Sequence, residues 1–131
     1  MKELIGKKII RLRISEDQIE LAFDTDQGEI AYQTYGDCCS ETWFADITGV
    51  RSLIGGTVSA SEEVDMDGYN VDDGRCRQCY DQAYGWKITT NKGYADIVFR
   101  NSSNGYYGGD IELMQSPSSG ATIVITDDWE A

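Results

Sequence analysis

Ile10, Leu12 and Ile14 alternate with Arg11 and Arg13, and beyond a polar turn at 15–18 the series Ile19, Leu21, Phe23 alternates with Glu20, Ala22 and Asp24. A period of two with one wet face predicts two strands. Asp26, Gln27 and Gly28 supply hairpin turn chemistry into a third strand over 29–35, because Gly28 takes a positive φ without steric cost. The chain therefore opens as a three-stranded meander. The alternation lapses after Tyr35. There Ser40 is placed to cap a short helix over 41–46, with Trp43, Phe44 and Ile47 on its apolar side. A further helical turn is expected over 50–54, stopped by Gly55 and Gly56.

From Thr57 the pattern is extended again, and residues 62–80 read as a long, acidic, exposed loop. Trp86 and Ile88 then mark a strand that Asn91, Lys92 and Gly93 turn back into Ala95, Ile97 and Phe99. A polar, glycine-rich connection over 101–109 precedes a strand at Ile111 and Leu113, and a last one holds Ile123 and Ile125. The prediction is a single domain over 1–131, mainly β (α+β). It is expected to be an antiparallel sheet, small barrel or sandwich of seven to eight strands with one short helical insertion.

Composition narrows the chemistry. The 131 residues carry a net charge of −12, and the first 13 hold five bases and one acid, which leaves −16 on the remainder. Such a surface repels phosphates, so direct nucleic-acid binding is disfavoured, whereas a basic groove on another protein would be attracted. Three Phe, three Trp and eight Tyr provide core material that a disordered chain lacks. No apolar run approaches the roughly 20 residues of a membrane span, and the N-terminus has no signal-peptide pattern. A cytoplasmic setting is expected, with the four cysteines as thiols.

The sequence contains no histidine, which removes cysteine–histidine and serine triads built from this chain alone. Cys38 and Cys39 at a helix start would have lowered thiol pKa values, so a thiol or hydrolytic centre at Cys38, Cys39 and Asp37 is one reading, and burial as small apolar groups is the other. Cys76 and Cys79 have the spacing of half a zinc site, and Cys38 and Cys39 would complete four ligands. Adjacent cysteines seldom share one ion, so the expectation is no cofactor, with zinc and a loop disulfide as alternatives. Asp65, Asp67, Asn70, Asp72 and Asp73 are oxygen-rich but lack EF-hand spacing.

Two segments are the most distinctive, Gly-Asp-Cys-Cys-Ser-Glu-Thr-Trp-Phe at 36–44 and Arg-Asn-Ser-Ser-Asn-Gly-Tyr-Tyr-Gly-Gly at 100–109. With 53–58 and Ile88-Thr89-Thr90, they resemble a family of uncharacterised small domains, many of them carried by bacteriophages. That resemblance spans about residues 19–113 and implies a phage accessory protein with no assigned reaction; residues 65–82 look like an elaboration peculiar to this chain. The expected role is a non-enzymatic binding domain that engages a host protein with a basic surface, such as a defence or nucleic-acid-handling protein. Glu62, Glu63, Asp65, Asp67, Asp72 and Asp73 are the acidic partner surface, and no membrane contact is expected. The alternatives are a structural accessory protein or a binder of a small, nucleotide-like ligand. Asp37, Ser40, Trp43, Asn101, Ser103, Asn104, Tyr106 and Tyr107 are the candidate ligand or partner residues, forming a polar cradle of amides and side chains.

Overall fold

The computed structural model describes residues 1–36, 41–65, 80–103, 109–117 and 120–130. Among these residues ten strands form two antiparallel sheets of five. The first contains β1 (Ile9–Ser15), β2 (Glu20–Thr25), β3 (Gly28–Gly36), β8 (Gly109–Leu113) and β9 (Ala121–Ile125), in the order β8-β3-β2-β1-β9. The second contains β4 (Glu41–Thr48), β5 (Val58–Asp65), β6 (Tyr80–Thr90), β7 (Gly93–Ser103) and β10 (Trp129–Glu130), in the order β10-β4-β7-β6-β5. Leu12, Ile14, Leu21, Phe23 and Ile125 from the first sheet share one core with Phe44, Ile47, Ile88, Ile97 and Phe99 from the second. The fold is a sandwich, in which each sheet hides one apolar face on the other.

The predicted meander is present, and its second turn contains Gly28 at φ 114°. The predicted hairpin is β6–β7, paired from Thr90↔Gly93 to Tyr80↔Ser103. The helical turn is α1 (Val50–Leu53). In β1 the alternation is broken by a register shift between Ile9 and Arg11, so Ile9 is buried while Ile10 is 55% exposed. A bulge opposes two residues to one and swaps the faces on either side of it.

The helix expected over 41–46 is a strand. β4 lies between β7 and β10, and Thr42, Trp43, Phe44, Ile47 and Thr48 suit a pleated ribbon. A register shift between Phe44 and Asp46 leaves Ala45 as the extra residue, so the core positions become Phe44 and Ile47. A spacing of three in a bulged strand imitates a helical face. The strand count rises to ten because β4 replaces that helix and β10 follows β9. At the ends of the loop expected over 62–80 and the connection expected over 101–109 the chain is strand, since β5 runs to Asp65, β6 begins at Tyr80, β7 ends at Ser103 and β8 begins at Gly109; the remainder of both lies outside the described residues.

The sheets are locked at one corner by Gln18, which adopts φ 65°. Its carbonyl accepts the Phe44 amide at 2.9 Å, and its Nε2 donates to the Phe44 carbonyl at 2.9 Å. The bulge that deceives the sequence pattern is thus held by the β1–β2 turn.

Candidate functional site

The two distinctive segments meet on both sheets. β3 and β8 pair up to Gly36↔Gly109, while β4 and β7 pair through Thr42↔Asn101 to Glu41↔Ser102. The described part of this corner is closed. Trp43 and Asn101 have no exposed surface, Arg100 is 2% exposed, and Thr34 and Thr42 are buried. Asn101 Nδ2 donates to Thr42 Oγ1 at 2.8 Å, and Thr34 Oγ1 donates to the Thr42 carbonyl at 2.9 Å, which ties β3 of one sheet to β4 of the other. Asn101 Oδ1 has no hydrogen-bond partner among the described residues. On the opposite side of β4, the Arg100 guanidinium lies 5.4 Å from the Trp43 ring centroid, within cation–π range.

Of the residues expected to bind a ligand or partner, Trp43 and Asn101 are therefore interior, and Ser103 ends β7. Asp37, Ser40, Asn104, Tyr106 and Tyr107 lie outside the described residues. So do Cys38, Cys39, Cys76 and Cys79, and with them the zinc, disulfide and thiol readings. Among the described residues no cluster of His, Cys, Asp or Glu has the geometry to hold a metal. Of the expected acidic surface, Glu62 and Glu63 are exposed on β5 and Asp65 ends that strand, while Asp67, Asp72 and Asp73 are outside the description.

A second acidic surface escaped the sequence reading. A groove of about 720 Å³ lies on the second sheet, lined by Asp46, Thr48, Val64, Asp96, Val98, Asp128, Trp129 and Glu130. Among the described residues four carboxylates and no base line it, over apolar surface from Val64, Val98 and Trp129. The alternation of β4 and β7 produces this, since Asp46↔Val98 and Thr48↔Asp96 are register pairs on the face opposite the Ile47↔Ile97 core pair. β10 completes it, with Trp129 paired to Ile47 and Glu130 to Asp46. Asp128 has a structural duty as well, because its Oδ1 accepts the amides of Gly49 at 2.8 Å and Val50 at 3.3 Å, capping the short helical turn. Lys87, across the ladder from Asp96, places its ammonium 4.7 Å from the Tyr94 ring centroid. Reading 41–46 as a strand would have put Asp46 and Thr48 on one face and exposed this pattern; read as a helix, it scatters them.

On the first sheet the carboxylates serve the fold. Asp24 receives Arg11 Nε at 2.8 Å and both Nε and Nη2 of Arg13 at 3.0 and 2.9 Å, and Arg13 also bonds Glu29. The Arg13 hydrogen bonds, helped by Arg11 and opposed by burial, hold the Asp24 carboxyl below its ordinary value. Burial, reinforced by the hydrogen bond to Glu3, pushes the Tyr32 hydroxyl far up, so it is a neutral donor at any working pH.

Comparison with known proteins supplies a family. The profile described as "Domain of unknown function (DUF7448)" matches residues 2–113. The chain belongs to this family. The matched span holds both distinctive segments and strands β1–β8, while β9 and β10 follow it. A relative, the uncharacterized protein L278 of Acanthamoeba polyphaga mimivirus, is 31% identical over 117 residues, covering 83% of this chain and 88% of its own length. No solved structure matches. A relative of this DUF7448 domain thus occurs in a virus, and no helix among the described residues of this chain is long and apolar enough to cross a membrane.

Proposed function

We propose that this DUF7448 domain is a non-enzymatic binding domain of viral type, which engages a host protein through a basic segment laid in the acidic groove of the second sheet. The observation that carries this is the groove's lining, with Asp46, Asp96, Asp128 and Glu130 around Val64, Val98 and Trp129. Lysine and arginine have the same division, an aliphatic stem that packs on apolar surface and a cationic head. The overall charge of −12 would steer such a partner toward the domain. Glu62 on β5 lies on the groove face of the same sheet, across from Lys87, while Glu63 lies on the other face of that strand. The viral relative supports an accessory role toward a host protein, of which defence and nucleic-acid-handling proteins with basic surfaces are the chemical match.

The small-ligand reading draws less support, because the described side chains it invokes, Trp43 and Asn101, have no exposed surface. The test is capture of partners from bacterial and amoebal lysates by the immobilised domain, at low and high salt, with a parallel Asp46→Asn/Asp96→Asn/Glu130→Gln variant. Specific capture should fall with salt and weaken by roughly threefold to a hundredfold in the variant, from the summed loss of three charge contacts worth about 0.2–1 kcal/mol each. Capture indifferent to both salt and the variant would refute the groove as the binding surface.

A further inference from the structure

We infer that β9 is a self-association edge, through which two copies of this chain join their first sheets into one continuous antiparallel sheet. Among the described residues the two sheets present four edge strands, β8, β9, β5 and β10. β8 contains Asp110 and Glu112, β5 contains Glu62, Glu63 and Asp65, and β10 contains Glu130. β9, with the sequence Ala-Thr-Ile-Val-Ile, carries no charge and no proline. Edge strands are ordinarily protected by charges, prolines or bulges, because their free amides and carbonyls will pair with any strand offered. The one irregularity in β9 lies at its start, where the register with β1 shifts between Ile14 and Ser15.

Apolar exposure gathers at this same edge. Ile123 is 42% and Val124 49% exposed, and on the adjoining β1 Ile10 is 55% exposed. Val124 and Ile10 line a shallow groove of about 490 Å³ with Ile54. The neighbouring cations are already engaged, since Arg11 and Arg13 are held by Asp24.

Charge selects the occupant. Each copy carries −12, so two copies pair most closely through strands that carry no carboxylates of their own, and β9 is the edge strand that meets this condition, with Glu16, Asp17 and Glu20 beside Thr122 at its start. A twofold axis at Ile123, the middle of the five-residue strand, makes an isologous contact. It places Ile123 against its counterpart and Thr122 of one copy opposite Val124 of the other, all uncharged β-forming residues.

Sedimentation velocity and light scattering over a wide concentration range test this, with the intact chain and a Thr122→Lys/Val124→Lys variant. Both positions are exposed, so the variant is expected to melt at the parent's temperature when dilute. The parent mass should rise from 14.6 kDa toward twice that value with concentration, more readily in added salt, and the β9 amides should become protected from hydrogen exchange in step. The variant has a net charge of −10 rather than −12, so association limited only by overall repulsion would strengthen in it. Edge pairing would instead weaken by at least about tenfold, because lysines face lysines across the axis. A parent that stays at 14.6 kDa at high concentration and high salt overturns the inference, as does a variant that associates as well as the parent.

Discussion

Thr42→Val separates a supporting corner from a recognising one. Valine matches threonine in shape but removes Oγ1, the acceptor of the 2.8 Å bond from Asn101 Nδ2, while the Thr42 carbonyl still receives Thr34. Asn101 has no exposed surface, so its amide cannot turn to water, and a buried donor left unpaired costs about 1–3 kcal/mol. Asn101→Leu removes the donor together with Oδ1, which has no partner among the described residues, and should cost about 1 kcal/mol from imperfect repacking. With both partners apolar no donor is stranded, so the double variant should be less destabilised than the sum of the singles by about 1–2 kcal/mol. Urea unfolding followed by far-UV circular dichroism reads this directly. With a slope of about 1–3 kcal/mol per molar, the Thr42→Val midpoint should fall by roughly 0.5–1.5 M. Strict additivity, or a Thr42→Val loss under about 0.5 kcal/mol, would refute the interior hydrogen bond. Loss of partner capture in Asn101→Leu at unchanged stability would return Asn101 to the recognition surface.

Acidification should expose the Arg11–Arg13–Asp24 group. Its folded pKa is depressed below 3.8, so the stabilisation is complete above pH 3.8 and drains as pH falls through the lower folded value; Asp24→Asn should be less stable at neutral pH yet lose less on acidification, as melting temperatures against pH will show. Gly49→Ala should cost at least about 2–3 kcal/mol, because φ is +75° and a Cβ there runs into the Tyr94 carbonyl; a thermal unfolding midpoint equal to the parent's would contradict this. Gln18→Ala loses the bond to the Phe44 carbonyl but keeps the left-handed backbone, whereas Gln18→Gly loses the bond and relieves the backbone. The glycine variant should be the more stable of the two by about 1 kcal/mol in denaturant titration, the reverse of the usual order of alanine and glycine at negative φ.

Sequence alone determined the class of fold and most of its strands, because a strand with one wet face writes its period of two into the chain at Leu12, Ile14, Leu21 and Phe23 and again at Ala95, Ile97 and Phe99. It also determined what chemistry is missing, since a chain without histidine has no imidazole wherever it folds. The distinctive segments at 36–44 and 100–109 were legible as belonging together, and the ladders at Gly36↔Gly109 and Thr42↔Asn101 join them. Tertiary structure alone decided that 41–48 is a strand, because the bulge at Ala45 is fixed by Gln18 from a distant turn and leaves a helix-like spacing in the local pattern. It also decided where the acids converge. Asp46, Asp96, Asp128 and Glu130 are far apart in sequence, and only the register of β4 against β7 and β10 sets them around one groove. Local alternation can be read residue by residue, but cross-strand neighbours depend on pairings that no local period specifies.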